Sequence, residues 1–309
     1  MERKISLNDV RKAVDEAYEM VKSVKEGEVD PRNEGADAGQ MGITVVLADG
    51  TVINKGDTDV RVPMGSIVRV PLSSILFSQN SRDEVVKKSG QCPCHKLQHK
   101  PHHLPVSAHT VRAFSAIEPT GDPESKWNIY ENRMIDLMGS APQLDSRVYT
   151  TVKKQIEEDD TANRLAADGY YLYDDAKIAL DLAAKAESMT ASTAQLAMMG
   201  ATIAADGVNP STGKIVFDGE NAKYIVALMA AKGPHKMNGP WLVSTGLPAK
   251  ASFGGTILGV YPGVMAIAAY GAELNPARVS VKAARAIRYI MQKLDLSVFG
   301  SANVSIVKD

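Results

Sequence analysis

Ser66 and Arg69 stand three residues apart in VPMGSIVRVPL (Val62–Leu72), directly after a segment that reads as a β-hairpin. A serine with a basic residue one helical turn on is one arrangement of a nucleophile and its helper. The same residues also describe a helix start with a capping serine and a solvated arginine. The stretch alone supports both readings. A second concentration of reactive side chains, CPCHKLQHKPHH, holds Cys92, Cys94, His95, His99, His102 and His103, which are both cysteines and four of the six histidines of the chain. Thiolates and imidazoles are the ligands zinc prefers, so Cys92 and Cys94 with two of the histidines, for instance His95 and His99, would close a structural zinc site. The spacing matches no standard zinc module, and an insertion with solvated histidines is the competing reading.

These groups need a scaffold. A chain of 309 residues is long enough for a sizeable core, as one large domain or as a main domain with a helical lobe. Thirty-five basic and thirty-six acidic side chains leave a formal net charge of -1 without a long basic block, which argues against nucleic acid or a membrane surface as partner and for small, near-neutral molecules. No apolar run approaches a membrane span, and the opening MERKISLNDVRK lacks the apolar core of a signal peptide, so a cytoplasmic location is expected. Pro93 separates two cysteines too close in sequence for an unstrained disulfide, leaving reduced thiols or metal ligands.

Ser6 and Asp9 resemble a capping pair, and Val10, Ala13, Val14, Ala17, Val21 and Val24 predict an amphipathic helix running up to Gly27. GITVVLADGTVINKGD predicts strands at 42–48 and 51–55 around Asp49-Gly50, a strong hairpin signal. GGTILGVYPGVMAIAAYGA repeats the pattern around Pro262-Gly263. A helix with Val279, Val281, Ala284, Ile287, Ile290 and Met291 on its apolar side follows. Between the strand pairs, residues 177–190, 193–205 and 219–232 predict helices, and 80–125 reads as irregular. The expected architecture is α/β in the α+β sense: one antiparallel sheet assembled from both chain ends (about 1–65 and 240–309) and flanked by helices, with a helical lobe (about 66–239) that carries an insertion at about 80–112.

Two longer stretches, IAADGVNPSTG (Ile203–Gly213) and STGLPAKASFGGTILGVYPG (Ser244–Gly263), resemble the L-A-N-G-G-x-N-P-x-T-G and V-G-L-P-A-K-S-G-V-G-G-G-I signatures of the serine-dependent glutaminase family. ADGTVINKGDTDVRVPMGSIVRV is similar to that family's D-G-x-x-x-x-x-G-D-x-D-x-x-F-x-I-Q-S-I-S-K-V-F. EPTGDP (Glu118–Pro123) and LDLAAKAESM (Leu180–Met189) resemble E-P-S-G-D-P and L-D-L-Y-F-K-Q-C-S-I. The resemblance runs from about Met41 to about Leu296 and implies the β-lactamase and transpeptidase fold.

It also implies site roles. Ser66 takes the position of the nucleophile, and Lys250 that of the lysine in the third active-site motif. Phe253 stands where a valine offers its backbone N–H to the oxyanion. Asp145 takes the place of a substrate-binding asparagine, and Glu157 and Asn163 match a binding glutamate and asparagine across a gap. Ala183 and His235 replace two tyrosines. Arg69 replaces the lysine base. A guanidinium keeps its charge, so Arg69 is unable to take the Ser66 proton, though it is able to orient a carboxylate or stabilise an anion. His235 in a Gly/Pro loop reads either as a substitute base or as an exposed histidine. Pro71 is expected to disturb the first turn of a helix beginning at Ser66. The paired appearance of Arg69 and Asp145 predicts an ion pair between them.

The resemblance thus implies an amidohydrolase acting through Ser66 on glutamine or, given the altered pocket, on another small amide or amino-acid-like acyl substrate, with weak activity on glutamine. It requires no cofactor for chemistry, with zinc at Cys92, Cys94, His95 and His99 as an open structural question. Self-association is expected by analogy with bacterial relatives. A non-catalytic ligand-binding or regulatory protein that retains the fold is the alternative, and the sequence leaves open whether the chain is an enzyme.

Overall fold

The computed structural model describes residues 2–88 and 104–308. The chain packs as two compact units, one of Met1–Val62, Asp136–Ser140 and Ala191–Asp309, the other of Pro63–Ile135 and Ala141–Thr190.

The first unit is built on five antiparallel strands: β1 (Gly42–Leu47), β2 (Val52–Gly56), β3 (Ala249–Ala251), β4 (Thr256–Tyr261) and β5 (Met265–Tyr270), in the order β2-β1-β5-β4-β3. Both hairpins fall where the turn residues placed them. Gly50 and Gly263 adopt positive φ of 86° and 71°, which glycine alone reaches without a steric penalty, and the Asp49 carboxylate accepts the Thr51 N–H at 2.9 Å. Every residue of β1, β4 and β5 is buried, so these strands are covered on both faces. Ile43, Val45, Leu47, Ile257, Met265, Ile267 and Ala269 join the apolar stripes of the first and last long helices, Leu7–Val21 and Val281–Lys293. The alternate positions Leu258, Val260 and Ala266 meet Gly200 of the helix Thr193–Ala204 on the other face. A parallel pair, Glu2–Ser6 with Asn303–Val307, ties the two ends of the chain together.

Local signals set the element ends. Ser6 caps the first helix by accepting the Asp9 N–H at 3.0 Å, as its spacing predicts. The helix stops at Val21 rather than running on to Gly27. Gly27 has φ of 102° and passes so close to the Leu274 carbonyl that a Cβ would lie 2.5 Å from its oxygen, and Val24 reaches the core from outside the helix. The helix expected over 177–190 ends at Glu187 because Met189–Ala191 forms a strand, and the one expected over 219–232 is a 3₁₀ turn, Gly219–Asn221, followed by Ala222–Ala231.

The second unit is mainly helical. Helices Arg69–Gln79, Ala108–Ser115, Ser146–Glu158 and Ala176–Glu187 pack pairwise, and Gln143–Leu144 pairs with Met189–Thr190. Part of the stretch read as irregular is helical. Arg82–Lys88 begins where the Glu84 carboxylate accepts both the N–H and the hydroxyl of Ser81, and Ala108–Ser115 buries Val111 and Phe114. Arg112 joins these two helices by donating to the carbonyls of Lys88 and Lys87 at 3.0 and 2.9 Å. A fully buried Lys126 ammonium meets the Asp174 carboxylate at 2.6 Å and donates to the carbonyls of Phe114 and Ser115. Asp174 also accepts the Gly121 N–H. Among the described residues, no helix is long and apolar enough to cross a membrane.

Two outcomes test this packing. Gly→Ala inside a helix ordinarily gains up to about 1 kcal/mol. Gly200→Ala is expected to lose about 1–3 kcal/mol instead in urea unfolding, because its Cβ would lie 2.6 Å from the Ala266 Cβ of β5. Burial raises the Asp174 carboxyl, but Lys126 and the N–H groups of Gly121 and Asp175 outweigh it and hold the group below its ordinary value. The stabilisation is therefore present above the unfolded value near 4 and lost as pH falls through the folded value. Asp174→Asn is expected to cost about 3 kcal/mol at pH 7, with the deficit shrinking on acidification below about pH 4 in pH-dependent urea melts.

Candidate active site

Ser66 lies in a 3₁₀ turn, Gly65–Val68, and the α-helix begins only at Arg69. The turn starts at Gly65 with a left-handed φ of 46°, just after the Met64 N–H donates to the Met189 carbonyl at 2.8 Å. The expectation of a helix beginning at Ser66 is corrected, and with it the role of Pro71. With Val68 as N-cap, Pro71 falls in the first turn, where its missing N–H has no intrahelical acceptor in any case. Neither the turn nor the helix has a side-chain cap, so Ser66 is not a capping serine. Its Oγ has no hydrogen-bond partner in its unit among the described residues, and the residue is partly exposed.

Arg69 Nε donates to the Ser66 carbonyl at 3.3 Å, which holds the guanidinium over the turn carrying the serine. Burial lowers the Arg69 pKa, and the charge of Glu187 opposes that effect. A guanidinium starts so far above neutrality that it stays cationic. The counter-charge is therefore Glu187 and not Asp145. The Glu187 carboxylate is buried and accepts from Thr110 Oγ1 at 2.7 Å and the Ser107 N–H at 3.2 Å. Beside it, the phenol of Tyr130 is completely buried with no hydrogen-bond partner among the described residues. Burial first, and Glu187 second, push its pKa well above the ordinary value. Asp145 instead caps the helix Ser146–Glu158, accepting the N–H groups of Arg147 and Val148, both at 3.0 Å, where a carboxylate complements the helix dipole.

Glu157 is exposed and lines an open cleft of about 640 Å³ with Lys153, Lys177 and Asp181, and Ser66 and Arg69 are not among its walls. Asn163 is spent on Asp160, donating to both carboxylate oxygens at 3.0 Å. Ala183 is fully buried in the helix Ala176–Glu187.

In the first unit, Lys250 occupies the middle of β3, buried, and its ammonium donates to the Lys232 carbonyl. His235 opens a 3₁₀ turn with a left-handed φ of 47°, and it is half-buried rather than exposed. Phe253 follows β3 in the turn to β4. This turn is closed by the Ser252 N–H to the Thr256 carbonyl at 2.9 Å, the Gly254 N–H to Ser252 Oγ at 2.8 Å and the Gly255 N–H to the Ser252 carbonyl at 3.2 Å. The Phe253 N–H, by contrast, has no acceptor among the described residues although the residue is only 5% exposed. Buried backbone N–H groups without a partner are rare, so this one is a candidate donor to a bound molecule.

Cys92, Cys94, His95, His99, His102 and His103 lie outside the described residues. Among the described residues, no group of three or more His, Cys, Asp or Glu side chains is arranged to hold a metal ion.

A family model described as Glutaminase matches residues 29–299. A glutaminase of Bacteroides thetaiotaomicron is 34% identical to this chain over 99% of it and all of the relative. The chain belongs to the Glutaminase family. Glutaminase 1 of Escherichia coli O157:H7 is 29% identical over 96% of this chain and 99% of its own length. A solved probable glutaminase superposes with a TM-score of 0.84 at 29% identity, covering 96% of this chain and all of that one. A probable glutaminase from Bacillus subtilis, solved with 6-diazo-5-oxo-L-norleucine, agrees in fold with a TM-score of 0.79 at 22% identity, over 94% of this chain and 96% of its own. The architecture is the β-lactamase-like fold of the glutaminases.

Sequence reasoning missed Glu187 and Tyr130. The signal for Glu187 was present: in LDLAAKAESM it stands where the family pattern L-D-L-Y-F-K-Q-C-S-I has cysteine, a carboxylate in place of a thiol. A double-mutant cycle on Arg69→Met and Glu187→Gln is expected to show coupling of about 1 kcal/mol or more in urea unfolding. The same cycle with Asp145→Ala should show none, while Asp145→Ala alone costs about 1 kcal/mol through the lost cap.

Proposed function

We propose that this glutaminase-family protein hydrolyses the side-chain amide of glutamine or of a related small amide through Ser66. The observation that carries the reading is the family match over residues 29–299, which includes both Ser66 in its uncapped turn and Phe253 with its open N–H. In this reaction Ser66 Oγ attacks the amide carbon, the C–N bond breaks, ammonia leaves and an ester to Ser66 forms. Water then cleaves the ester, returning the hydroxyl and releasing the free acid. By resemblance to the family pattern, the backbone N–H groups of Ser66 and of Phe253 are the expected oxyanion donors, and Lys250 is the expected source of positive charge. No cofactor takes part.

Weak turnover of glutamine is part of the proposal. A permanently charged Arg69 accepts no proton, so the serine lacks a base one turn away, and its contact with the Ser66 carbonyl gives it a holding role instead. A cytoplasmic location and self-association complete the reading, the latter checked by light scattering.

Ammonia release from glutamine and a panel of small amides is the test. Turnover is expected on at least one amide and to vanish in Ser66→Ala, with glutamine slow. Arg69→Lys alone is expected to raise glutamine turnover by less than about tenfold, because catalytic groups act as a unit and Ala183 and His235 also differ from the family pattern. Fast glutamine turnover in the unaltered protein would overturn the proposed weakness. Binding of amides without turnover on any of them would replace the enzyme by a ligand-binding protein.

A further inference from the structure

The turn that carries Phe253 is held from outside by a short segment that the sequence reading did not single out. Asp30 caps the 3₁₀ turn Pro31–Asn33. Its buried carboxylate accepts the backbone N–H and Nε of Arg32, both at 3.0 Å, and a second guanidinium nitrogen of Arg32 at 3.2 Å. Arg278 donates to the same carboxylate from the far side. Held in this fork, the Arg32 guanidinium lies over the Phe253 ring, its central carbon 3.8 Å from the ring centroid. The next residue, Asn33, donates its side-chain amide to the Gly254 carbonyl at 3.2 Å. Two consecutive residues therefore grip two consecutive residues of the turn, one by its ring and one by its backbone.

What the grip leaves over is the Phe253 N–H. The N–H groups of Ser252, Gly254 and Gly255 are all spent inside the turn, and the Gly255 carbonyl accepts the Gly271 N–H at 3.0 Å. A guanidinium over an aromatic face is attracted by the ring's quadrupole and favours the ring orientation that keeps the two in contact. In the family pattern a valine stands at this position, which offers no such face.

We propose that Arg32 is a positioning residue for the amide hydrolysis, holding the Phe253 peptide in the orientation that leaves its N–H open to a bound molecule. The inference rests on the reading of Phe253 as an oxyanion donor. A donor that acts on developing charge contributes to turnover rather than to ground-state binding, so loss of its orientation lowers kcat and leaves KM nearly unchanged.

Three variants of the full chain test it: Arg32→Met, which keeps the stem and removes the charged plane; Arg32→Lys, which keeps the charge without the fork; and Phe253→Leu, which removes the face from the other side. Turnover is followed on the best amide substrate, and hydrogen exchange on the peptide covering residues 252–255. Arg32→Met is expected to lower kcat on the order of tenfold with KM within about twofold, and to speed exchange at 252–255. Arg32→Lys should recover less than half of the loss, and Phe253→Leu combined with Arg32→Met should be no worse than either alone. A rise in KM at constant kcat would place Arg32 on the substrate and overturn the proposal, as would a fall in kcat with unchanged exchange. Absence of turnover in the unaltered chain would reject the enzymatic reading itself. Exchange would then judge the grip alone, and unchanged exchange in Arg32→Met would reject it.

Discussion

Burial of β1, β4 and β5 on both faces is the constraint on which the first unit depends. A strand covered on two sides admits no polar alternation, and these three read GITVVL, TILGVY and MAIAAY. The two covers come from opposite parts of the chain. Leu7–Val21 and Val281–Lys293 close one face, and Thr193–Ala204 closes the other. Sheet and covers thus draw on sequence near both ends and on an internal helix, and the parallel pairing of Glu2–Ser6 with Asn303–Val307 joins the ends. The strand that bears Lys250 is the edge of this sheet. Lys250 has its position because β4 fixes the register of β3 at Leu258.

A different constraint governs the second unit, where charges are taken out of water. Lys126 and Asp174 form a direct pair with their remaining hydrogen-bonding capacity largely used by backbone groups, the condition under which a buried pair is tolerated. Arg69 and Glu187 are arranged otherwise. Each is satisfied separately, Arg69 by the Ser66 carbonyl and Glu187 by Thr110 and Ser107, and they act on one another through charge without direct contact. Arg69, where the family pattern has lysine, is accompanied by a carboxylate in the helix that packs against the serine turn, Ala176–Glu187. The guanidinium keeps its charge in this crowded surrounding, where the nearby charge of Glu187 opposes the effect of its burial.

The serine turn and the Phe253 turn share a feature that follows from their backbone. Each has a glycine of positive φ close by, Gly65 directly before Ser66 and Gly255 two residues after Phe253, with φ of 46° and 91°. Glycine there lets the chain turn sharply enough to leave one polar group unused. In the first turn that group is the Ser66 hydroxyl, and in the second it is the Phe253 N–H. Unused polar groups are the opposite of what stability alone selects.

Much of the fold was legible from local pattern. Hairpins at Asp49-Gly50 and Pro262-Gly263, the Ser6 cap and the amphipathic first and last helices are written in short-range spacing, and the ordered motifs around Asn209 and Lys250 identified the family. What failed was whatever depended on a distant neighbour. Beyond the end of the first helix at Val21, Gly27 closes on Leu274, and the helix after Ala176 stops because the chain beyond it pairs with Gln143–Leu144. Among the candidate residues, sequence determined the types: a serine, a guanidinium in place of an amine, a lysine on a strand and an aromatic residue in place of valine. Only tertiary structure decided which charge answers which. Asp145 and Glu187 are equally acidic on paper, but Asp145 begins a helix and is consumed by its N–H groups, whereas Glu187 ends a buried one beside Arg69. Likewise, Arg32 is one cation among thirty-five basic residues until Asp30 pins it on the Phe253 ring. Electrostatic partnership is a matter of distance and burial, and neither is a property of the chain until it folds.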